Sequence, residues 1–191
     1  MNVSYNKRIA NIANLLRLKK IVALPTESVY GLSCILEKDT LNRVKLLKKR
    51  NSRKGFIIVS NNPRHFSPFI DYKTLDFKHI KLLYSKFPDP ITWIVPASSK
   101  SSKLKLGVGN SIALRFIKQN TILSDVINIL QQPIISTSAN ISGFNPINSP
   151  KEIINVFKKK IDYVYPADNF FVKNKKPSRI INLITNKILR F

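Results

Sequence analysis

Three short stretches combine residue types that handle anions. In ALPTESVYGLSC (23–34), a buried apolar run meets Pro25, whose missing N–H cannot continue a ladder. Thr26, Glu27 and Ser28 are therefore presented at a strand end, where open sheets hold ligands, although a plain turn would use the same residues. In KLLKKRNSRKGFIIVS (45–60), Lys48 and Arg50 leave a helix end on one side. With Lys54 they can form a pocket for carboxylate or phosphate, the arginine gripping two oxygens at once. Cations there equally complement the C-terminal helix dipole, and such runs are commonly solvated. In PIISTSANISG (133–143), Ser136, Ser138 and Ser142 offer hydroxyls and Asn140 an amide directly after an apolar run. Gly143 permits a tight or left-handed turn. Small donors after a buried strand let the backbone approach a ligand, so the stretch is a candidate cradle for phosphate oxygens. The spacing of a Walker loop is absent, and an isolated Ser/Asn turn would be only a turn.

Composition narrows the ligand class. Thirty-three Lys and Arg against ten Asp and Glu give a net charge of +23. That field attracts RNA, nucleotides or anionic lipid. The chain is also rich in Asn, Ile and Lys, as AT-rich coding DNA would make it, so part of the charge is expected to be solvated surface. The length, 191 residues with 43% hydrophobic, points to one domain spanning 1–191. No apolar run approaches the ~18 residues of a membrane span. Ile9 to Leu16 is broken by Asn11 and Asn14 and reads as a helix, not a signal peptide. A lone cysteine, Cys34, excludes an internal disulfide and fits a reducing, cytoplasmic setting. His65 and His79 are too few and too far apart for a metal cluster, and no metal-ligand set is assigned. No Ser–His or Cys–His arrangement suggests a covalent nucleophile.

The elements that must position these side chains follow from periodicity. Helical spacing predicts helices over Tyr5–Leu18, from Asp39 or Thr40 to near Lys49, over Thr74–Phe87 and over Ile122–Leu130. A further helix starts at Ser149-Pro150, with Glu152 as capping-box partner. Strands are expected at Ile21–Leu24, Val29–Leu36, Phe56–Val59, Ile91–Val95, Ile112–Phe116, Ile134–Thr137 and Val164–Tyr165. Ile180–Ile184 and Ile188–Phe191 should pair as a hairpin. Pro88-Asp89-Pro90 forces a break. Ser98–Asn110 reads as a mobile loop, and Pro166–Ser178 as a polar one. Strands and helices mix without strict alternation, which argues for an α+β (mixed α/β) domain around a mixed sheet.

Taken in order, the three stretches resemble the YrdC/TsaC family of threonylcarbamoyl-AMP synthases. Pro25-Thr26-Glu27 with Val29-Tyr30-Gly31 is similar to its first signature. Lys48-Lys49-Arg50 with Lys54-Gly55 is similar to its Lys-x-Arg motif, and Ser136 to Gly143 to its Ser-x-x-Ala-Asn-x-Ser-Gly signature. Weaker echoes are Phe87 to Thr92, Ala113-Leu114-Arg115 and Pro177-Ser178. The departures are Asn51 where proline is usual, Asp89 where glycine is common, and a 166–178 loop poor in glycine.

The resemblance implies a twisted mixed sheet flanked by helices around a concave basic cavity, in the short single-domain form. It implies a nucleotidyltransferase that makes threonylcarbamoyl-AMP and pyrophosphate from L-threonine, bicarbonate and ATP. The product serves N6-threonylcarbamoyladenosine modification of tRNA beside the anticodon, completed by a separate transferase complex. Lys48 and Arg50 would be catalytic and, with Thr26 and Ser138, would hold threonine or bicarbonate. Lys54, Arg115, Ser136, Ser138, Asn140, Ser142 and Gly143 would hold ATP. Mg²⁺ would arrive with ATP, and tRNA contact is a further expectation. The rivals are a non-enzymatic tRNA- or rRNA-binding protein and a relative that uses carbamoyl phosphate.

Overall fold

The computed structural model of the chain describes residues 3–27, 29–51, 54–87, 91–117, 119, 121–167 and 178–190. Ser28, the Pro88-Asp89-Pro90 break, Phe191 and positions 168–177 of the long polar loop lie outside the described residues.

Nine strands form one mixed sheet: β1 Val22–Pro25, β2 Tyr30–Ile35, β3 Ile57–Ser60, β4 Ile91–Pro96, β5 Ser111–Phe116, β6 Ile134–Ser138, β7 Tyr163–Val164, β8 Arg179–Asn182 and β9 Ile188–Arg190. Their order is β7-β1-β2-β6-β3-β5-β4-β8-β9. The pairs β1–β7, β3–β5 and β4–β8 are parallel and the others antiparallel. The mixed α/β class and the β8–β9 hairpin agree with the sequence reading.

Side-chain alternation makes the two faces differ. Ile35, Val59 and Ile134 point to one face and pack with helices α1 (Val3–Arg17) and α5 (Ile122–Leu130). α1 is helical because Ile9, Ile12, Ala13 and Leu16 recur at one-turn spacing, and all four are buried. Burying each of the larger three stabilises by about 1.5–3 kcal/mol. Farther along the same strands and on the same face, the residues turn polar: Ser33 lies opposite Ser136, Gly31 opposite Ser138, and Arg115 opposite Thr92. The other face carries Ile58, Trp93, Leu114 and Ile135, covered by α2 (Lys38–Leu47) and α3 (Phe77–Leu83). At its β1–β2 end, α6 (Pro150–Phe157) seats Ile153 and Phe157 against Tyr30 and Leu32.

Several boundaries differ from expectation for local reasons. α2 is capped by Glu37, not by Asp39 or Thr40: its carboxylate accepts from the N–H groups of both, at 3.1 Å each. α3 is short, because Asp76 and His79 form a reciprocal cap and Tyr72–Thr74 is a separate 3-10 turn. Pro25 is the last residue of β1, paired with Tyr30 beyond the reach of β7. Ser149 caps α6 through the Glu152 N–H, while the return bond of a capping box is not among its contacts.

The Ser98–Asn110 segment is ordered, not loose. Ser98 caps a short helix, α4 (Ser99–Lys103), the Ser101 hydroxyl is buried on Phe69 O, and Leu106 O accepts from Phe56 N at 2.7 Å. Gly107 passes so close to the neighbouring backbone that an added Cβ would sit 1.8 Å from Ser111 O. Gly107→Ala should therefore destabilise the fold by about 1–3 kcal/mol in urea unfolding. A loss below about 0.5 kcal/mol, the level of an ordinary surface change, would show the segment to be loose after all.

Candidate active site

The end of α2 sets the first part of the site. The chain leaves the helix through a left-handed residue, Lys49 (φ 48), with Lys49 N on Leu46 O and Arg50 N on Lys45 O. These two bonds close the helix end in the pattern usually supplied by glycine. The reversal throws Lys48 and Arg50 to one side and Lys49 to the other.

Lys48 is 1% exposed. Its ammonium donates to Ser138 O, to Asn140 O at 2.8 Å and to Asn140 Oδ1 at 2.8 Å. Three acceptors match the three protons of an ammonium. Burial, and secondarily the Arg50 charge, pushes Lys48 down to about 7. Lys48 O in turn accepts from Ser142 N at 2.8 Å. The Lys-x-Arg and Ser/Asn stretches, 90 residues apart, are thus tied together at both ends of one lysine.

Arg50 is held along its own turn. Its Nη2 donates to Gly55 O at 2.5 Å and its Nε to Lys54 O at 3.4 Å, while its guanidinium lies 5.5 Å over the Phe56 ring. Burial lowers its pKa. Lys54 is exposed, and its ammonium makes no hydrogen bond or ion pair among the described residues. It shares the Arg50 turn but is not brought into the hydroxyl cluster.

The Ser/Asn turn is internally wired. Ser138 Oγ donates to Asn140 Oδ1 at 2.7 Å, and Asn140 Nδ2 to Phe144 O at 2.5 Å. Gly143 has φ +93, the left-handed region that the sequence reading reserved for it. Ser142 Oγ is buried with no hydrogen-bond partner among the described residues.

The polar cluster continues across the sheet. Ser136 Oγ lies 3.4 Å from Ser33 Oγ, and a Cβ on Gly31 would come within 2.5 Å of Ser136 Oγ and 3.1 Å of Thr26 Cγ2. Only glycine leaves room for these two hydroxyl residues to approach. Thr26 Oγ1 donates to Val29 O at 2.6 Å, which closes the turn between β1 and β2. Thr26, Glu27, Arg115 and Ser136 line a cleft of about 40 Å³, floored by Ile57 and Val59. There Arg115 Nη2 meets Glu27 Oε2 at 2.9 Å, and Arg115 Nε is buried without a hydrogen-bond partner among the described residues.

Two residues near Arg115 were not assigned from sequence. Arg190 lies close enough for the Arg115 charge to lower its pKa, after burial, and its Nη2 donates to Ser178 O at 3.0 Å. Ser178 Oγ is paired with Thr92 Oγ1 at 2.9 Å. The hairpin was expected, but the register that sets Arg190 opposite Ile180, on the face that Thr92 and Arg115 share, depends on an irregularity between Ile180 and Ile181 that the sequence did not mark. The histidines serve elsewhere, His65 beside Ser60 Oγ at 2.8 Å and His79 in the α3 cap. Cys34 is buried in the core, its thiol pushed up to about 12 by desolvation.

Comparison with known proteins matches this geometry to relatives. The Sua5/YciO/YrdC family model, described as "Telomere recombination", matches residues 14–191. The threonylcarbamoyl-AMP synthase of Photorhabdus laumondii is 30% identical over 94% of this chain and 94% of its own length. That of Wigglesworthia glossinidia brevipalpis is 35% identical over 96% and 93%. The structure of P. abyssi Sua5 complexed with L-threonine superposes with a TM-score of 0.76 at 25% identity, covering 93% of this chain and 51% of that one. The chain thus spans about half of Sua5. E. coli YciO shares the fold, with a TM-score of 0.74 at 21% identity over 97% and 89%. With the model spanning nearly the whole chain and synthases of equal length at 30% identity or more, this chain belongs to the Sua5/YciO/YrdC family.

Proposed function

We propose that the chain is a threonylcarbamoyl-AMP synthase, making the adenylate and pyrophosphate from L-threonine, bicarbonate and ATP. The observation that carries this reading is the Lys48 tie. It sets a buried-base arginine turn beside a hydroxyl and amide turn, a pairing suited to an anionic nucleotide. An RNA-binding module needs positive surface, but it has no use for a partnerless buried hydroxyl at the end of a strand.

Threonine's amine and bicarbonate first give a carbamate, whose carboxylate oxygen must attack the α-phosphorus of ATP as pyrophosphate leaves. Two anions have to meet, so cations must neutralise both. Arg50 serves there, with Lys54 free to swing toward the outer phosphates. Ser142 Oγ, the second N–H of Asn140 Nδ2 and the Gly143 turn hold α-phosphate oxygens, the buried Ser142 hydroxyl gaining the acceptor that it otherwise lacks; Ser138 joins them only by giving up its bond to Asn140 Oδ1. Lys48 acts chiefly through the turn that it organises. Arg115 and Ser136, which the resemblance assigns to ATP, share a cleft with Thr26, and that placement supports the amino-acid end instead, where Arg115 Nε offers a donor to a carboxylate. Arg190, held by Ser178 O, extends that cationic wall. Alignment of reactants in this way can remove about 7–11 kcal/mol of barrier. Mg²⁺ would enter with ATP and supply charge neutralisation on the phosphates. Glu27, the one carboxylate lining the cleft, is engaged by Arg115 and leaves that ion to phosphate and water. The product passes to a transferase acting on tRNA, and the strongly basic chain suits tRNA contact.

Arg50→Ala should lower threonine- and bicarbonate-dependent pyrophosphate release by roughly 10²–10³-fold, the usual loss for a donor aimed at developing charge. Near-normal turnover with intact folding would remove Arg50 from the mechanism.

Lys48 gives a test with a sign. Its folded pKa of about 7 lies below the unfolded value near 10.4. Between the two, the unfolded chain holds a proton that the folded chain has released, so stability contributed by this group rises with pH. The stability of the unmodified chain relative to Lys48→Met should climb by on the order of 1 kcal/mol per pH unit from pH 7 to 9. A difference that stays constant with pH would show the ammonium to be no more perturbed than a surface lysine.

A further inference from the structure

The two site-bearing turns have a reverse side. Lys49 separates Lys48 from Arg50, and Ile141 separates Asn140 from Ser142; both line a groove between the end of α2 and the end of α6. The groove holds about 620 Å³. Its walls are aliphatic: Leu46, Ile141 and Val156, with Leu46 78% exposed and Val156 43%. Leu46 does nothing for the core, since the buried side of α2 is Leu41 and Val44. Lys49, Lys159 and Lys160 form the rim with Arg43, which is paired with Asp162 at 3.3 Å, and among the described residues no carboxylate lines the groove itself. Among the described residues none of these three lysines has an ion pair; Asp162, the nearest acid in sequence, is engaged by Lys20 and Arg43. The chain enters the Lys158–Lys160 turn through Lys158 at φ 49 and ψ −141, a conformation that strains a residue with a side chain. Such strain persists where surrounding structure holds it and is concentrated at working surfaces.

We infer that this groove docks an acidic, amphipathic helical segment of a partner protein. A helix laid into a groove anchors through apolar side chains one turn apart, which is what an aliphatic wall accepts. Flanking glutamates or aspartates would neutralise a rim that is wholly cationic, and complementary charge speeds encounter and fixes register. Single-stranded RNA, the other polyanion class, seats its bases on exposed aromatic rings. Among the described residues that line the groove, the one ring belongs to Phe157, which is 2% exposed. A docked segment would touch Lys49 and Ile141, one residue away from the groups that face the nucleotide. The inference stands apart from the proposed reaction, since it needs only the back of the turns.

The test uses the full chain and a fluorescein-labelled synthetic helix with leucines on one face and glutamates flanking them. A scrambled peptide of the same composition, a lysine-for-glutamate version and a short single-stranded RNA serve as comparisons. Fluorescence anisotropy should show the acidic helix binding at least roughly ten-fold tighter than either peptide control, about the size of one good anchor contact. Leu46→Asp, and separately Lys159→Glu with Lys160→Glu, should each weaken it by roughly ten-fold or more while adenylate formation stays within about two-fold. The idea fails if the acidic helix does not bind, if scrambling is without effect, or if Leu46→Asp leaves its affinity unchanged. It also fails if RNA binds instead, insensitive to Leu46→Asp but lost in the double lysine variant, since that marks a nucleic-acid surface.

Discussion

A buried ammonium is expensive to desolvate, and the Lys48 side chain sits almost without exposure. It is tolerated because three oxygens, from the last residue of β6 and the turn that follows it, surround it. The same constraint works in reverse on the turn. Ser138 O also accepts from Asn140 N at 3.0 Å, whereas Asn140 O is a main-chain acceptor whose donor is this ammonium. Removing the lysine would leave Asn140 O to find another donor, and removing the turn would leave a buried charge. The geometry of the Ser/Asn turn is thus fixed by a residue on a helix 90 positions earlier in the chain, and the sheet's task is to bring the two within reach.

Sheet register does that. β2 and β6 run antiparallel, so Gly31 and Ser33 face Ser138 and Ser136 on one surface. β3 and β5 then carry the surface on to Arg115, and β4 to Thr92. Along β2 and β6 the same alternation gives an apolar residue to α1 and α5 at one end, Ile35 and Ile134, and serines to the cleft at the other. The polar half is therefore a continuation of the core face, and its hydroxyls inherit the rigidity of strands packed on both sides.

Much of this was legible. Period-two and period-3.6 patterns located every strand and the long helices, and α5 was read to the residue, Ile122 to Leu130. The grouping of Lys48 and Arg50 on one side of a helix end, and the left-handed Gly143, were also readable. What sequence hid has specific causes. The chain has five glycines, and its helix ends use Lys19, Lys49 and Gln131 in the left-handed region instead, so the usual stop signal was missing. Glu37 capped α2 because a long carboxylate reached back to two N–H groups, which a preference for Asp or Thr does not anticipate. The Ser98–Asn110 segment looked loose by composition, but its order comes from contacts with Phe56 and Phe69, distant in sequence. For the same reason the burial of Lys48 was invisible: a lysine next to other cations reads as solvated until its acceptors, 90 residues away, are placed.

The partnerless polar atoms follow from the same logic of burial. Ser142 Oγ and Arg115 Nε are buried donors without acceptors, one at each end of the polar face. Leaving such a group unsatisfied costs about 1–3 kcal/mol, more when it is charged. A fold under no other constraint would turn a serine hydroxyl toward water or replace it with alanine. The main chain of Ser142 is held through its own N–H to Lys48 O, and Arg115 by Glu27 and its place in a central strand. On the proposed reading, a ligand with a phosphate at one end and a carboxylate at the other would supply an acceptor to each donor at once, and the free energy withheld from folding at these two atoms would go into holding it.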